Sequence, residues 1–242
     1  ILLGGVTVNF LLAMVIYIGI MFVWGEKYLP NENLTDGVWV VDSLAADMGF
    51  ENGDKILSIN GKTIERFSGI MPEMIYGGSV TVQNENGDSE DILVPENFIE
   101  SLIDQENKQL FMFRMPFMIS KVAEESVNVN VGLKPKDMIL SLNDIEVKYY
   151  DEFAEISKPF AGQEVDLKVM RNEKEMLFRV KISEEGKLGV YSQPLSLKDL
   201  AKMGYYELET HEYSFLESIP VKLSNMSLKF SFIELLNLTL AC

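Results

Sequence analysis

The sequence predicts a mainly β protein with short helices, an α+β fold built as two similar domains in tandem behind one apolar helix. Three observations support this prediction. One phrase occurs twice, strand signals flank Asn-Gly and Asn-Asp turns in both halves, and the first 25 residues carry no charge. A chain of 242 residues with 47% apolar and 24% charged residues is globular in composition and long enough for two small domains.

The repeated phrase is the main evidence for two domains. MGFENGDKILSING, residues 48–61, returns 83 residues later as VGLKPKDMILSLND, residues 131–144, with Gly, Asp, Ile, Leu, Ser and Asn in the same places. This separation exceeds the repeat length of solenoid proteins, which is about 20–50 residues. We therefore interpret the two halves as copies of one ancestral domain.

Both copies predict the same order of elements: strand, short turn, strand hairpin, helix, strand hairpin. The first hairpin in each copy is indicated by Asn60-Gly61 and by Asn143-Asp144, because these residues favour tight turns. The helices are predicted from apolar residues three and four apart, which are Phe67, Ile70 and Met74 in one copy and Tyr150, Phe153 and Ile156 in the other. Pro72 weakens the first helix prediction.

The uncharged start predicts a transmembrane helix over Leu2–Trp24. At about 1.5 Å per residue this stretch reaches across a hydrocarbon layer about 30 Å thick, and Trp24 stands where an interfacial anchor is expected. A signal peptide would show a basic start and a shorter apolar core, whereas a buried core helix stays open as an alternative. Gly4, Gly5 and Asn9 are predicted to pack against other membrane helices.

Composition excludes several classes of function. The 21 Lys and Arg residues are outnumbered by 37 Asp and Glu, the net charge is −16, and no basic run offers the cations that nucleic-acid phosphates need. Cys242 and His211 are the only cysteine and histidine, so a zinc site made of His and Cys ligands and an intrachain disulfide are excluded. We interpret His211, which has no nucleophile motif nearby, as an ordinary surface residue.

Two stretches resemble a known peptide-binding domain. GVWVVDSLAADMGFENGDKILSINGKTI, residues 37–64, resembles the core of a circularly permuted bacterial PDZ domain, and PFMISKVAEESVNVNVGLKPKDMILSLNDIEV, residues 116–147, resembles a second. The resemblance implies small, partly open β-barrels that bind an extended peptide along an unpaired strand edge. The implied peptide-binding residues are Gly37, Val38, Trp39, Val40, Phe67 and Ile70 in the first copy and Pro116, Phe117, Met118, Ile119, Tyr150 and Phe153 in the second.

Two interpretations of these residues stay open. The helix-side residues Phe67, Ile70, Tyr150 and Phe153 either form the walls of peptide grooves or fill two small cores. Pro116 lacks a backbone N–H and weakens the second strand edge. We therefore expect the first groove to bind a hydrophobic peptide end weakly and the second copy to act mostly by its bulk.

The combination of features resembles the site-2-type intramembrane zinc proteases, the regulator-of-sigma-E protease family. The middle of those proteins has a membrane helix, PDZ domains and a return to apolar sequence. GGVTVNFLLAMVIYI, residues 4–18, is similar to the second membrane helix of the family, although Val6 stands where the family often has proline. The matching residues, implied to pack this helix, are Gly4, Gly5, Asn9 and Phe10. SFLESIP, residues 214–220, resembles the segment that leads to the third membrane helix.

The catalytic motifs of that family do not occur in this sequence. Its zinc ligands lie in a His-Glu-x-x-His helix and in a Leu-Asp-Gly helix, and neither motif is present. The resemblance implies that the intact parent protein holds zinc with two His and one Asp, while a Glu activates water. No catalytic residue and no metal ligand carries over, so this chain is expected to have no cofactor of its own and to cleave nothing alone.

The predicted boundaries are a transmembrane helix over 1–25, a first PDZ-like domain over 34–95, an amphipathic bridging helix over 96–109, a second PDZ-like domain over 110–192 and a C-terminal extension over 193–242. In the bridging helix, Phe98, Ile99, Leu102 and Ile103 are predicted to share one face. SLKDLAKMG predicts a short helix that ends at Gly204.

Two functional hypotheses follow. In the first, the chain is the non-catalytic central part of a membrane-embedded zinc metalloprotease that performs regulated intramembrane proteolysis in the envelope stress response. Its PDZ-like domains then filter or dock a substrate, a single-pass membrane protein, on the periplasmic side of the bacterial inner membrane. The partners are the membrane, this substrate and the remaining membrane helices of the parent protease. In the second hypothesis the chain is a membrane-tethered tandem-PDZ adaptor that binds peptides and has no enzymatic activity.

Overall fold

The computed structural model describes residues 2–105, 109–214 and 217, and within the opening helix it describes the side chains from Val8 onward except that of residue 10. The chain divides into two compact units. One comprises residues 1–28 together with residues from 208 onward, and the other comprises residues 29–207.

The described elements form a mixed α+β fold with small antiparallel sheets, in agreement with the predicted class. The helices are α1 Leu2–Trp24, α2 Ser43–Met48, α3 Ile70–Met74, α4 Phe98–Asp104, α5 Tyr150–Ser157 and α6 Leu197–Lys202. The strands up to the bridging segment are β1 Glu26–Tyr28, β2 Val38–Val40, β3 Lys55–Ile59, β4 Lys62–Thr63, β5 Gly78–Gln83 and β6 Ser89–Val94. The later strands are β7 Phe111–Phe113, β8 Ile119–Val122, β9 Met138–Leu142, β10 Ile145–Glu146, β11 Glu164–Arg171, β12 Lys174–Lys181, β13 Val190–Ser192 and β14 Glu209–His211.

The smaller unit contains α1 and an antiparallel pair of short strands. Strand β1 pairs with β14, and the register places Glu26 opposite His211. Two tyrosines strengthen the pair, because Tyr28 OH donates to Glu209 Oε2 and Tyr213 OH donates to Glu26 Oε2, each at 2.8 Å. His211 is exposed in this pair, where the sequence predicted a surface residue.

The helix α1 occupies the range predicted for a membrane span. Among the described residues, however, no helix is both long and apolar enough to cross a membrane. The predicted transmembrane assignment of Leu2–Trp24 is therefore not confirmed.

The larger unit contains two repeats of one architecture, which we call the first repeat (residues 34–113) and the second repeat (residues 115–193). In the first repeat the strands form a sheet in the order β4-β3-β5-β6, and β2 pairs with β7. In the second repeat the order is β10-β9-β11-β12, and β13 pairs with β8. The 83-residue offset of the sequence holds in the structure, since β9 and β10 begin 83 residues after β3 and β4.

The turns explain why the repeated phrase keeps its polar residues. Asn60 and Asn143 both have positive φ, at 52° and 46°, and begin equivalent two-residue hairpin turns. Asp54 and Asp137 are both buried, and each accepts a hydrogen bond of 2.8 Å from the backbone N–H three residues earlier. The aspartate therefore closes the same turn in each repeat by accepting from a partly buried backbone amide.

Each repeat has its own apolar core. The first includes Val38, Ile56, Ile70, Val80 and Leu110, and the second includes Ile119, Ile139, Leu142, Leu167 and Ile182. The first core extends past the predicted boundary at residue 95, because Phe98 of α4 and Phe111 of β7 belong to it. The predicted single apolar face of the bridging helix is split: Phe98 and Leu102 pack inward, whereas Ile99 and Ile103 are exposed.

Candidate functional site

The strand predicted to border the first groove is paired on both sides. Val38 N donates to Asp54 O and Gly53 N donates to Val38 O, each at 2.9 Å. On the other side, β2 pairs with β7 along its whole length. The segment Gly37–Val40 therefore does not offer the unpaired edge that peptide addition needs.

The segment predicted to border the second groove, Pro116–Ile119, is hydrogen-bonded on both sides as well. On one side Ile139 N donates to Phe117 O at 2.8 Å, and on the other Gln193 N donates to Met118 O at 2.7 Å. Pro116 is buried and precedes β8, so its missing N–H does not lie on an open edge. The segment Pro116–Ile119 thus leads into β8 with hydrogen bonds on both sides and does not border an open groove.

The open strand edges belong instead to β7 and β13. Each is one of only two strands in its sheet, and among the described residues neither pairs with a further strand. Both follow the closing hairpin of their repeat, so they are equivalent elements. In the second repeat this open edge lies beside α5, the arrangement in which a domain accepts an extended peptide as an additional strand.

A cavity of about 410 Å³ lies between α5 and residues 186–190, which lead into β13. Its volume falls within the range of about 300–1,000 Å³ that is usual for ligand sites. The apolar part of its lining includes Trp39, Phe117, Tyr150, Phe153, Leu188 and Val190, and Ala154 lines it as well. The cavity thus combines an apolar wall with an open strand edge.

Four aromatic rings form a continuous series along the cavity wall. The ring centroids are 5.4 Å apart for Trp39 and Tyr150, 4.8 Å for Tyr150 and Phe117, and 5.0 Å for Phe117 and Phe153. All three contacts are edge-to-face, the geometry favoured by the ring quadrupole. Trp39 belongs to the first repeat, so the wall of this cavity is built by both repeats.

The loop that leads into β13 is held in a defined conformation. Asn128 Nδ2 donates to Leu188 O and to Lys181 O, each at 2.8 Å, and its Oδ1 accepts from Lys181 N at 2.8 Å. Gly189 has φ +76°, and a Cβ there would lie 2.2 Å from Ser126 Oγ, so glycine is required. Among the backbone hydrogen bonds of the described loops and turns, none is donated by the N–H of Leu188 or Gly189. Free neighbouring N–H groups are suitable donors for a peptide carboxylate.

Arg114 lies between the repeats and fixes the position of α5. Its side chain is 4% exposed, and it donates from Nε to Asp151 Oδ2 at 2.9 Å and from Nη2 to Glu152 Oε1 at 2.8 Å. Toward the first repeat, Nη1 donates to Asp36 O at 3.2 Å and to Glu85 Oε1 at 3.1 Å. One guanidinium group therefore connects the helix beside the cavity to the first repeat.

The electrostatics of this junction keep its groups in one protonation state. Burial lowers the pKa of Arg114, but hydrogen bonding and charge from Asp151 outweigh burial and raise it. Tyr149 OH donates to Asp36 Oδ2 at 2.6 Å, and burial together with this bond raises the pKa of Tyr149. Burial also tends to raise the pKa of Asp36, yet its bonds to Tyr149 and Lys148 lower it overall. The cation, the phenol and the carboxylate are thus fixed across the physiological pH range.

The open edge of the first repeat is contacted by the chain itself. The ring of Phe113 in β7 lies 6.3 Å from that of Phe67 and 6.2 Å from that of Tyr206. Tyr206 is buried, and its OH donates to Arg114 O at 2.7 Å. The segment after the second repeat therefore packs beside β7, where a peptide ligand of the first repeat would lie.

The remaining predicted residues divide between cores and surface. Ile70 and Ile119 are 1% and 0% exposed and fill the two cores. Phe67 and Met118 are half-buried. The structure thus gathers Trp39, Phe117, Tyr150 and Phe153 at one site and leaves the other predicted groove residues apart from it. Of the predicted helix-packing residues, Asn9 is exposed, whereas the environments of Gly4, Gly5 and Phe10 lie outside the described side chains.

The sequence analysis did not identify residues 186–190, although a signal was present. Each closing hairpin is followed by a short apolar stretch, LFMF in the first half and LGVY in the second. Two such stretches at equivalent places indicate one more strand per copy. Among the described residues no group of three or more His, Cys, Asp or Glu side chains is placed to hold a metal ion.

Comparison with known proteins agrees with this architecture. The family model described as "PDZ domain" matches residues 101–182, which include most of the second repeat. The chain is also similar to a protein of Neisseria meningitidis serogroup A named "Putative zinc metalloprotease", with 26% identity over 173 residues. The similarity covers 68% of this chain and 38% of that protein, so the chain spans well under half of its relative. Residues 101–182 thus match a PDZ domain, in a chain distantly similar to a putative zinc metalloprotease.

Proposed function

We propose that this chain is the non-catalytic central part of a membrane-embedded zinc metalloprotease that performs regulated intramembrane proteolysis, and that its second repeat docks an extended peptide segment of the substrate. The observation that carries the docking role is the open edge of β13 beside α5, with the apolar cavity between them. An added strand gains main-chain hydrogen bonds from the edge, and one of its side chains gains apolar contact in the cavity.

Three further observations support the link to a protease. The distant relative is named a zinc metalloprotease, the Gly-rich Asn-Phe stretch resembles the site-2-type family, and α1 exposes a large set of apolar side chains. Among them are Leu11, Val15, Ile20 and Phe22. A patch of this kind marks contact with another protein or with lipid. A location at the bacterial inner membrane, with the repeats on the periplasmic side and zinc in the intact parent, is part of this proposal.

The proposal assigns peptide docking to the second repeat and not to the first. Pro116 lies away from the open edge. Its missing N–H therefore gives no reason to expect weak peptide binding by the second repeat. In the first repeat, Tyr206 already packs against Phe113 beside the equivalent edge. The second repeat therefore has the accessible groove, and the first repeat supports it.

The alternative function, a tethered peptide-binding adaptor without enzymatic activity, is favoured by the same groove. The two functions differ in what the gene encodes beyond this chain. The protease requires His-Glu-x-x-His before residue 1 and Leu-Asp-Gly after residue 242. An open reading frame without these motifs would exclude the protease and leave the adaptor.

The docking role is tested by filling the cavity. Peptides are selected by phage display on the full chain with free C-terminal carboxylates, and their affinity is measured by calorimetry. Ala154 is exposed on α5 and lines the cavity, so Ala154→Trp is expected to weaken binding at least about tenfold without disturbing the core. Glu155→Trp, on the neighbouring exposed position outside the cavity lining, is the matched control and should bind normally. Equal affinities of the two variants would refute the assignment of the groove.

A further inference from the structure

We propose that Trp39 of the first repeat is a specificity-determining residue of the peptide site in the second repeat, and that it selects a docked peptide carrying a large apolar side chain, aromatic or leucine. The inference rests on the proposed docking function, because it concerns the same cavity. It goes beyond that function by stating that residues of both repeats form the peptide site.

Trp39 is placed where a docked peptide can contact it. Its ring lies edge-to-face with Tyr150 of α5 and lines the cavity. It is half-buried, so part of the indole stays accessible from the cavity and is not sealed in a core. An accessible indole beside an open strand edge is a suitable contact for an incoming side chain.

The position of Trp39 relative to α5 is fixed by contacts on both sides of the cavity. Trp39 lies on β2, whose backbone pairs with β7, and it stands opposite Met112 in that pair. On the other side of the cavity, Arg114 ties α5 to the first repeat through Asp151 and Glu85. Both walls are therefore fixed relative to each other, and the width of the cavity depends on the contact between the repeats.

The size and chemistry of the cavity identify its occupant. A volume of about 410 Å³ between four aromatic rings exceeds what a small side chain fills. Phe117 and Phe153 are 4% and 6% exposed, whereas Trp39 and Tyr150 are half-buried, so these two rings offer most of the accessible aromatic surface. A large apolar side chain makes more contact with them than a small one. Leu188 and Gly189 directly precede β13, and free backbone N–H groups of such a loop are suitable donors for the carboxylate of an extended peptide. These features favour a peptide C-terminus ending in a large apolar residue.

Tryptophan fluorescence tests the contact directly. The chain has two tryptophans, Trp24 and Trp39, so Trp24→Phe leaves Trp39 as the only indole. Two acetylated seven-residue peptides with free carboxylates, identical except for a final Phe or Val, are titrated into this full-length variant. Calorimetry gives the affinity, and Trp39 emission is expected to shift with the same saturation curve.

Substitution tests the specificity. Trp39→Ala should weaken the Phe-ended peptide about tenfold and the Val-ended peptide about twofold, and Trp39→Phe should retain most of the preference. Tyr76→Ala removes an aromatic side chain that is 81% exposed on the same repeat, and it should change neither affinity.

The outcomes separate the two proposals. If neither peptide binds the full chain, the docking function is refuted and the inference with it. If both peptides bind and Ala154→Trp blocks them, docking stands. In that case unchanged Trp39 emission, or equal losses for both peptides in Trp39→Ala, would overturn the role of Trp39 alone.

Discussion

Replacement of Arg114 by methionine tests whether one buried cation holds the two repeats together. Its side chain and that of Asp151 are 4% and 1% exposed, so the pair is shielded from water. Removal of one partner from a buried pair costs about 3–5 kcal/mol, because the remaining charge is left uncompensated. Asp151 Oδ1 already lacks a hydrogen-bond partner among the described residues, so loss of Arg114 would leave this carboxylate still less compensated. The contact with Glu85, whose side chain is 65% exposed, adds little.

We therefore expect Arg114→Met to lower the free energy of unfolding by about 4 kcal/mol, a large part of the stability of a typical domain. The double variant Arg114→Met with Asp151→Leu removes both charges and should recover about 2 kcal/mol of that loss. Lys62→Met is the matched control. Lys62 pairs with Glu73 at the surface, where the two side chains are 68% and 35% exposed, and its loss should cost less than about 1 kcal/mol.

Urea unfolding followed by circular dichroism at pH 7 gives these free energies for the parent protein, the two single variants Arg114→Met and Asp151→Leu, the double variant and the control. The reasoning fails if Arg114→Met lies within about 1 kcal/mol of the parent protein. It also fails if the double variant loses as much as the sum of Arg114→Met and Asp151→Leu, because the two charges would then not interact. Either result would remove the physical basis for a fixed contact between the repeats.

Two further predictions each compare a pair of similar residues within this chain. Burial raises the pKa of the Asp54 carboxyl above its ordinary value of 3.8, so deprotonation disfavours the folded state as pH rises above that value. Asp54→Asn should therefore raise the melting temperature by roughly 2 °C at pH 7 and leave it unchanged at pH 3. Asp137→Asn should lower the melting temperature, because Asp137 has an arginine partner at 2.6 Å. Gly37→Ala should cost about 3 kcal/mol or more, since φ is +72° and the new Cβ would lie 2.0 Å from a backbone oxygen. Gly61→Ala, with φ +74° and open space, should cost about 1 kcal/mol, and equal losses in urea unfolding would contradict the steric argument.

Local chemistry explains why the repeated elements could be predicted from the sequence. The strand β9 follows β3 at the same offset as the quoted phrase, because Asn60 and Asn143 impose the same turn and Asp54 and Asp137 close the same loop. These interactions span only a few residues. Hydrophobic spacing likewise predicted α5, whose Phe153 turns into the second core.

Strand neighbours could not be predicted in the same way. The pairing of β2 with β7 joins residues about 70 positions apart. The alternation of apolar and polar residues in either strand does not identify the strand with which it pairs. The sequence analysis therefore placed the open edge on Gly37–Val40, whereas pairing on both sides closes that strand. The missing information is the position of the last strand of each copy, which only the folded sheet supplies.

Trp39 shows how the unpredicted strand pairing changes the position of the peptide site. The residue was predicted at a groove of its own repeat, and it lies at the cavity of the other, because the contact between the repeats depends on Arg114 and not on local sequence. A buried charged pair contributes little net stability compared with apolar packing, but it favours one arrangement strongly over others. If the junction selects that arrangement, a change in the first repeat alters peptide selection in the second without any change in the PDZ fold. Peptide affinity in Arg114→Met should therefore fall for the Phe-ended peptide more than for the Val-ended one, as in Trp39→Ala.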